Sequence, residues 1–436
     1  MPSLSKESPY LWPPGKLLTN SRFEEKLVMS ETRFPGNDRE SGPFREGPKR
    51  LAFVTSTPLS VAGGSGTYVG IRQLCRSLGD RGVEVRVHAP TFWCPSFTVK
   101  RFLFNLLEAS RLRRGPYDWV VGFDLDGFHY GRDKAAPYIA CIKGVIADEL
   151  RNEHGFVRTM LAIQARFEQS AVCRADVVVA TSRYSGDRIV EAYGIPQAKV
   201  RVIPESIDLQ AWTREGSGVP DPRPGPPAIL SVAHMYPRKN LDALLKAYAH
   251  LQDAGIPFQG WVVGDGPCRN AWERLRDTLG LVERVKFLGT VSFRELKERY
   301  RRAAIFCLSS VQEGFGIVFL EAMASGKPIV ARRRAAIPET VADGETGILV
   351  DSDDPAALAE ALAKLLQDGE LRHAMGTAGR RRVERYAAGN VASTFLTTVQ
   401  DALQGRSGQA ESSTRRVDSS PREGRPVQAA GAGGGR

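Results

Sequence analysis

The sequence has 436 residues, of which 25% are charged and 42% hydrophobic, and its formal net charge at pH 7 is +11. This length predicts two or three domains, and the apolar content excludes a wholly disordered or fibrous protein. No run of about 18 apolar residues occurs, so no transmembrane helix is predicted. The proline-rich N-terminus lacks the apolar segment of a signal peptide, and the six cysteines are too widely spaced for a zinc site or a disulfide scaffold, so we expect a cytoplasmic protein.

The positive charge is spread unevenly along the chain. Residues 1–50 carry net +2 and residues 405–436 carry net +3, which leaves +6 for residues 51–404. Both ends lack apolar periodicity, so we expect disordered tails over 1–49 and 405–436. The remaining excess is mild and no basic helix carries interleaved aromatic residues, so nucleic acid is not expected as a partner.

From residue 51 onward, short apolar runs alternate with helical stretches, which is typical of parallel βα units. A buried strand at 51–55 is followed by a glycine-rich loop and a helix that ends near residue 78. Further strands are predicted at 83–87, 119–122, 138–142, 177–180 and 200–203. We therefore expect an N-terminal Rossmann-like domain over 50–213, followed by a Pro/Gly-rich linker over 214–227.

The same alternation restarts after the linker. Strands are predicted at 228–233, 261–264, 285–288, 305–308, 328–331 and 347–350, and helices at 241–254, 355–367 and 386–403. We expect a second Rossmann-like domain over 228–385 and a separate C-terminal helix over 386–404. Because parallel sheets bind ligands beyond the carboxyl ends of their strands, two such domains predict a ligand-binding cleft between them.

One strand-to-helix loop is rich in glycine. The segment AGGSGTYV at 62–69 follows the strand at 51–55, and its glycines let backbone N–H groups approach an anion closely. It lacks the lysine of a P-loop, so a phosphate contact and a simple tight turn are equally open.

A second loop carries two glutamates. In SSVQEGFGIVFLE at 309–321, Glu313 follows a strand, a helix begins near Gly316, and Glu321 lies in its second turn. One carboxylate can bind the hydroxyls of a sugar and the other a ribose diol, while free amides of the first turn face a diphosphate. The alternative is that Glu313 is a solvated loop acid and Glu321 an exposed helix residue.

The E-x7-E spacing of Glu313 and Glu321 resembles the signature of the retaining family-4 glycosyltransferases, which have the GT-B fold. Three further segments resemble the same family: LSVAHMYPRKNLDALLKAY at 230–248, ADVVVATSRYSGDRIVEAYGIPQAKVRVIPESID at 175–208 and IPETVADGETGILVDSDDPAALAEAL at 337–362. The glycine loop also matches, and the similarity covers about residues 50–400.

The resemblance implies an α/β protein of the GT-B class, with two Rossmann-like domains facing each other across a donor-binding cleft. The helix at 386–404 is expected to cross back to the N-terminal domain. The implied activity is that of a metal-independent hexosyltransferase without a cofactor. It uses a nucleotide-diphosphate sugar as co-substrate and a glycan, a lipid-linked sugar or a small molecule as acceptor, with retention of the anomeric configuration.

The family's site residues carry over position by position. By the resemblance, Glu313 contacts the transferred sugar, Glu321 the ribose, and Lys239 neutralises the leaving diphosphate. Further donor contacts are expected from the glycine loop and the helix start: Gly64, Ser65, Gly66, Gly314, Phe315, Gly316 and Ile317.

Two positions depart from the family pattern. The family's diphosphate-binding arginine aligns with His234, a weaker and pH-dependent donor, for which Arg238 can compensate. The family's N-domain histidine falls at Lys143, which leaves that role open. We take Glu313, Lys239 and Lys143 as the candidate catalytic residues. The departures leave a non-catalytic GT-B binding protein as one alternative, beside another GT-B enzyme such as a nucleotide-sugar epimerase.

Three other segments have two interpretations each. Asp124-Leu-Asp126 has the letters of a metal-binding DxD pair but lies in the other domain, so a structural or acceptor-side role is expected. The run 332–334, three arginines, either reaches an anionic acceptor or is a solvated loop. The basic amphipathic stretch 99–114 either contacts an anionic membrane or packs its apolar stripe in the core.

Overall fold

The computed structural model describes residues 33–34, 47–58, 66–213 and 225–405. The predicted tails and linker lie largely outside this part of the chain, and the loop residues Gly64 and Ser65 lie wholly outside it. The described residues form two α/β domains, each built on its own sheet.

The N-terminal domain contains a seven-stranded sheet in the order β1-β3-β2-β4-β5-β6-β7. All neighbours are parallel except β1, which pairs antiparallel with β3 at the edge and lies within the predicted N-terminal tail. The strands are β1 (Arg33–Phe34), β2 (Arg50–Val54), β3 (Glu84–His88), β4 (Trp119–Phe123), β5 (Tyr138–Ile142), β6 (Val177–Ala180) and β7 (Val200–Val202). The helices are α1 (Gly66–Gly79), α2 (Phe97–Arg114), α3 (Ile146–Glu149), α4 (Gly155–Arg174), α5 (Arg183–Tyr193) and α6 (Leu209–Thr213).

The C-terminal domain contains a six-stranded, fully parallel sheet in the order β10-β9-β8-β11-β12-β13. Its strands are β8 (Ala228–Val232), β9 (Gln259–Val263), β10 (Val285–Gly289), β11 (Ile305–Leu308), β12 (Ile329–Arg332) and β13 (Gly347–Val350). The helices that follow the linker are α7 (Leu241–Asp253), α8 (Arg269–Thr278), α9 (Phe293–Arg302), α10 (Ile317–Ala324), α11 (Ile337–Thr340), α12 (Pro355–Gln367), α13 (Gly369–Val383) and α14 (Ala388–Leu403).

Helices cover both faces of each sheet, which explains why the central strands are continuously apolar. Every residue of β4, β5, β6 and β11 is buried. Each predicted strand has a counterpart whose ends differ by at most two residues. The fold class expected from the sequence, two Rossmann-like domains of the GT-B type, is confirmed.

The last helix returns to the first domain. Ile207 donates its backbone N–H to Tyr386 at 2.9 Å, so the chain crosses the domain junction immediately before α14 begins. Helix α14 then packs against α1, and Phe395, only 1% exposed, joins the apolar cluster that contains Phe53 and Ile71. The final helix of the described chain therefore contributes to the core of the N-terminal domain.

Two long helices, α4 and α13, have no counterpart among the predicted elements. The buried side of α4 includes Gln164 and Glu168, which obscure an apolar stripe. The buried side of α13 includes Gly376, where a Cβ atom would lie 2.2 Å from the carbonyl oxygen of Gly326. A helix cannot be predicted from hydrophobic periodicity when the face that it buries is polar or lacks side chains.

We predict that Phe395→Ala lowers the free energy of unfolding by about 3–5 kcal/mol, because truncating a fully buried ring leaves a cavity. Chemical denaturation measures this change. Thr397→Ala, at an exposed position of the same helix, is the control and should change the stability by less than about 0.5 kcal/mol. Equal effects of the two substitutions would contradict the packing of α14 against the N-terminal domain.

Candidate active site

A cleft with a volume of about 910 Å³ lies between the two domains. One wall comes from the N-terminal domain, from the loops after β2, β4 and β5 and from α2 and α4. The other comes from the loops after β8 and β11 and from the start of α10. Both walls are therefore built at the carboxyl ends of parallel strands, where open sheets bind ligands.

The two domains touch at the loop between β11 and α10. The carbonyl oxygen of Gly314 accepts hydrogen bonds from the hydroxyls of Ser182 at 2.7 Å, Ser185 at 3.0 Å and Thr181 at 3.1 Å. A Cβ atom on residue 314 would lie 2.9 Å from the carbonyl oxygen of Lys143, so the approach requires glycine. This contact places the E-x7-E loop beside the loop that carries Lys143.

A second contact between the domains holds the N-terminus of α5. The carboxylate of Glu339 accepts the backbone N–H groups of Arg183 and Tyr184, each at 2.8 Å. An anion at a helix N-terminus is stabilised by the free amides and by the helix dipole. The side chain of Gln312 also donates to Asp148 across the interface at 3.1 Å. The two domains are thus joined beside the cleft by directional hydrogen bonds.

Lys239 and Glu313 form a buried ion pair in the cleft. The Nζ of Lys239 lies 2.6 Å from Oε1 of Glu313, and the hydroxyl of Ser310 donates to the same oxygen at 2.8 Å. Burial acts to raise the pKa of Glu313, but attraction to Lys239 and Arg238 outweighs it and holds that pKa below its ordinary value. Burial lowers the pKa of Lys239 below its ordinary value despite the attraction of Glu313.

Arg238 and His234 lie on the same wall. Arg238 pairs with Glu149 of the opposite domain at 3.1 Å, and its guanidinium lies 5.7 Å from the ring centre of Tyr236. His234 is exposed to the cleft, with its ring centre 6.4 Å from that of Tyr236. Both side chains are therefore placed to face a ligand, although Arg238 already holds a carboxylate.

Lys143 lies across the cleft, directly after β5. Its Nζ pairs with Oε1 of Glu205 at 2.8 Å and lies 5.8 Å from the ring centre of Phe123. Burial acts to lower the pKa of Lys143, but the combined attraction of Glu205, Cys141 and Asp124 raises it above the ordinary value. Glu205 was not among the residues singled out in the sequence; its signal is its position directly after β7, at the edge that lines the cleft.

The first turn of α10 faces the cleft. Gly316 precedes the helix with φ of +85°, a conformation that favours glycine. It lines the cleft with Gly66, Gly314, Phe315 and Ile317. Glu321 lies one turn further along α10, behind the residues that line the cleft. It is partly buried rather than exposed, and its Oε2 accepts a hydrogen bond from the hydroxyl of Tyr300 at 2.9 Å. Burial raises the pKa of Glu321 to about 7.

The two acids of the Asp124-Leu-Asp126 segment have different roles. Asp126 is fully buried and accepts hydrogen bonds from Ser56 and Asn105, so its role is structural. Asp124 lines the cleft, and burial raises its pKa to about 6. Within the described part of the chain, no cluster of three or more His, Cys, Asp or Glu side chains could hold a metal ion.

The three arginines at 332–334 do not line the cleft. Each pairs with acids of its own domain: Arg332 and Arg334 with Asp353, and Arg333 with Asp343 and Asp351. The interpretation that this run reaches an acceptor across the cleft is therefore wrong, because local carboxylates neutralise it.

Comparison with known proteins agrees with this geometry. Residues 62–211 match the family described as Glycosyltransferase Family 4, and residues 217–382 match Glycosyl transferases group 1. The chain is 35% identical, over 69% of its length and 79% of the relative's, to a GDP-mannose-dependent alpha-(1-6)-phosphatidylinositol monomannoside mannosyltransferase of Mycolicibacterium smegmatis. The chain belongs to the group 1, family-4 glycosyltransferases.

Two further similarities place this glycosyltransferase within the family. It is 28% identical to a D-inositol 3-phosphate glycosyltransferase of Corynebacterium glutamicum, over 71% of this chain and 75% of the relative. The structure of a sucrose-phosphate synthase from Thermosynechococcus elongatus superimposes with a TM-score of 0.69 at 20% identity, and covers 82% of this chain and 100% of that one. The chain is thus a nucleotide-sugar-dependent hexosyltransferase with the GT-B fold, and the binding-protein and epimerase alternatives are not favoured.

We predict that donor binding by this glycosyltransferase weakens as the pH falls below about 7. Glu321, whose pKa is about 7, then loses the charge with which it would accept ribose hydroxyls. The KM for the donor should rise by up to about tenfold between pH 8 and pH 6, as the ionised fraction falls. Steady-state kinetics across this range measure it. Glu321→Gln is the control and should show a flat profile; a KM of the unaltered enzyme that does not change with pH would contradict the assignment.

Proposed function

We propose that this glycosyltransferase transfers a mannosyl group from GDP-mannose to a hydroxyl of an inositol-phosphate lipid headgroup, with retention of the anomeric configuration. The observation that carries the transfer chemistry is the Lys239–Glu313 pair beside the N-terminus of α10. The donor and acceptor are inferred from the mannosyltransferase that matches most of this chain at 35% identity.

The reaction breaks the bond between the anomeric carbon and the β-phosphate oxygen of the donor. Lys239, Arg238 and the first-turn amides of α10 stabilise the negative charge of the departing diphosphate. The acceptor hydroxyl forms its new bond on the same face, and its proton passes to the departing phosphate oxygen. Glu313 binds hydroxyls of the transferred sugar. Since protein cations supply the charge stabilisation, we propose that no metal ion is needed.

A lipid acceptor is supported by the surface beside the cleft. Helix α2 buries Phe104 and Leu112 in the core, as its apolar stripe predicts, but leaves Leu103 40% and Leu107 64% exposed. Phe156, which lines the cleft from α4, is also 64% exposed. Apolar side chains on a basic helix bind anionic membrane surfaces, so we propose peripheral membrane contact through 99–114 on the cytoplasmic side. Within the described residues, no helix is long and apolar enough to span a bilayer.

We predict that the purified enzyme uses GDP-mannose at least about 100-fold more efficiently than UDP-glucose, measured as kcat/KM with phosphatidylinositol monomannoside in mixed micelles. Release of nucleoside diphosphate and mass spectrometry of the lipid product report the transfer. Glu313→Ala should lower kcat about 100-fold or more, because the sugar loses its contact in the transition state.

The matched control for this assay is Glu360→Ala, at an exposed position of α12 in the same domain, which should keep full activity. A preference for a uridine donor, or an unmodified lipid after donor cleavage, would refute the proposed substrates. Activity that survives in Glu313→Ala would refute the role of the Glu313 carboxylate.

We predict that the combined substitution Leu103→Glu and Leu107→Glu weakens binding to vesicles that contain phosphatidylglycerol by at least about tenfold, because two apolar side chains leave the bilayer surface. Vesicle sedimentation measures it, with pure phosphatidylcholine vesicles alongside. Val282→Glu, at a position of the C-terminal domain that is 41% exposed, is the matched control. The membrane contact is disproved if the unaltered enzyme binds neither kind of vesicle, or if the substituted form binds with the same affinity as the unaltered enzyme.

A further inference from the structure

A second buried lysine–carboxylate pair lies in the cleft, on the wall opposite Lys239. Lys143 and Glu205 approach to 2.8 Å, and their side chains are only 13% and 6% exposed. Both residues line the cleft. Because Gly314 lies against the backbone of Lys143, this pair is next to the loop that carries Glu313.

The fold leaves a defined space for the carboxylate of Glu205. Helix α1 passes behind it at Gly70, where an added Cβ atom would lie 2.5 Å from Oε2 of Glu205. A small cavity of about 20 Å³, bordered by both members of the pair, adjoins this position. The sequence therefore places glycine where the carboxylate must pass close to the helix.

Among the described residues, the groups around Lys143 are carboxylates, a thiol and apolar side chains. The charged or titratable groups that face it are Glu205 after β7, Asp124 after β4 and Cys141 on β5. The elements packed on the other side contribute Gly70 from α1 and apolar side chains from α14, Val391 and Phe395. Glu205 is the carboxylate in direct contact with the ammonium group.

We propose that Glu205 is a positioning residue for glycosyl transfer, which fixes the ammonium group of Lys143 in the cleft beside the donor loop. This inference rests on the proposed function, because it assigns Lys143 to the sugar–diphosphate portion of the donor. Without Glu205, Lys143 loses the largest of the attractions that oppose the effect of burial on its pKa, so its neutral form becomes more favoured. An uncharged amine no longer stabilises the negative charge that develops on the leaving group.

The test compares Glu205→Gln, Lys143→Met and the double variant in the full-length enzyme, with kcat and donor KM measured from pH 6 to pH 10. Glu205→Gln should lower kcat about tenfold at pH 7.5. It should also move the alkaline loss of activity to lower pH, because Lys143 then loses its proton within the assay range. The kcat of the double variant should be no lower than that of Lys143→Met, since the two residues act as one unit.

Gly70→Ala tests the same geometry without removing a charge. The new methyl group displaces the carboxylate of Glu205, so kcat should fall. The loss of kcat at alkaline pH should also move to lower pH, as in Glu205→Gln. The helix propensity of alanine opposes the cost of displacing the buried carboxylate, so the shift of the pH profile, rather than the Tm, reports on the pair. The matched control is Lys134→Met, which removes a lysine that pairs with Asp176 in the same domain, outside the cleft.

The titration of Lys143 is also followed without substrate, by NMR of ¹³C-labelled lysine side chains. Its midpoint should fall in Glu205→Gln, which tests the pair even if GDP-mannose is not the donor; absence of turnover with every nucleotide sugar would refute only the proposed function. An unchanged midpoint would overturn the inference. So would an unchanged pH profile of kcat, or a loss of activity that is equal at every pH and accompanied by a lower Tm.

Discussion

Three hydroxyl groups at the end of β6 and the start of α5 donate to the carbonyl oxygen of Gly314, and the geometry of the whole site follows from this contact. It brings the loop of one domain within van der Waals reach of the Lys143 loop of the other, at a point where only glycine fits. Glu313 precedes the contact and α10 follows it. The carboxylate of Glu313 and the N-terminus of α10 are therefore positioned by the same hydrogen bonds that hold the domains together.

Each cation placed to face a donor is already paired with a carboxylate. The ion pairs are Lys239 with Glu313, Arg238 with Glu149, and Lys143 with Glu205. Removing one partner of a buried pair costs about 3–5 kcal/mol, so a diphosphate that displaces a carboxylate must supply a contact of comparable strength. The Arg238–Glu149 pair spans the two domains, so a donor that takes over Arg238 also removes one of the bonds that close the cleft.

The strands and the E-x7-E loop could be predicted because each is encoded within a few neighbouring residues. Continuous apolar runs identify the central strands, and the spacing from Glu313 to Glu321 identifies the donor loop. Glu149, Glu205 and Glu339 could not be predicted, since each acts on a residue far away in the chain or in the other domain. Their roles depend on how the domains meet, which local hydropathy does not encode.

The two departures from the family pattern, at His234 and Lys143, together amount to moving one positive charge from one wall of the cleft to the other. By the resemblance described above, His234 stands at an arginine position of the family and Lys143 at a histidine position. A fixed positive charge is thereby lost from the C-terminal wall and gained on the N-terminal wall, where Glu205 keeps it ionised. On the proposed roles, Lys239 and Arg238 of the C-terminal wall act on the leaving group together with Lys143 of the N-terminal wall. Both walls of the cleft therefore contribute cations to the proposed donor site.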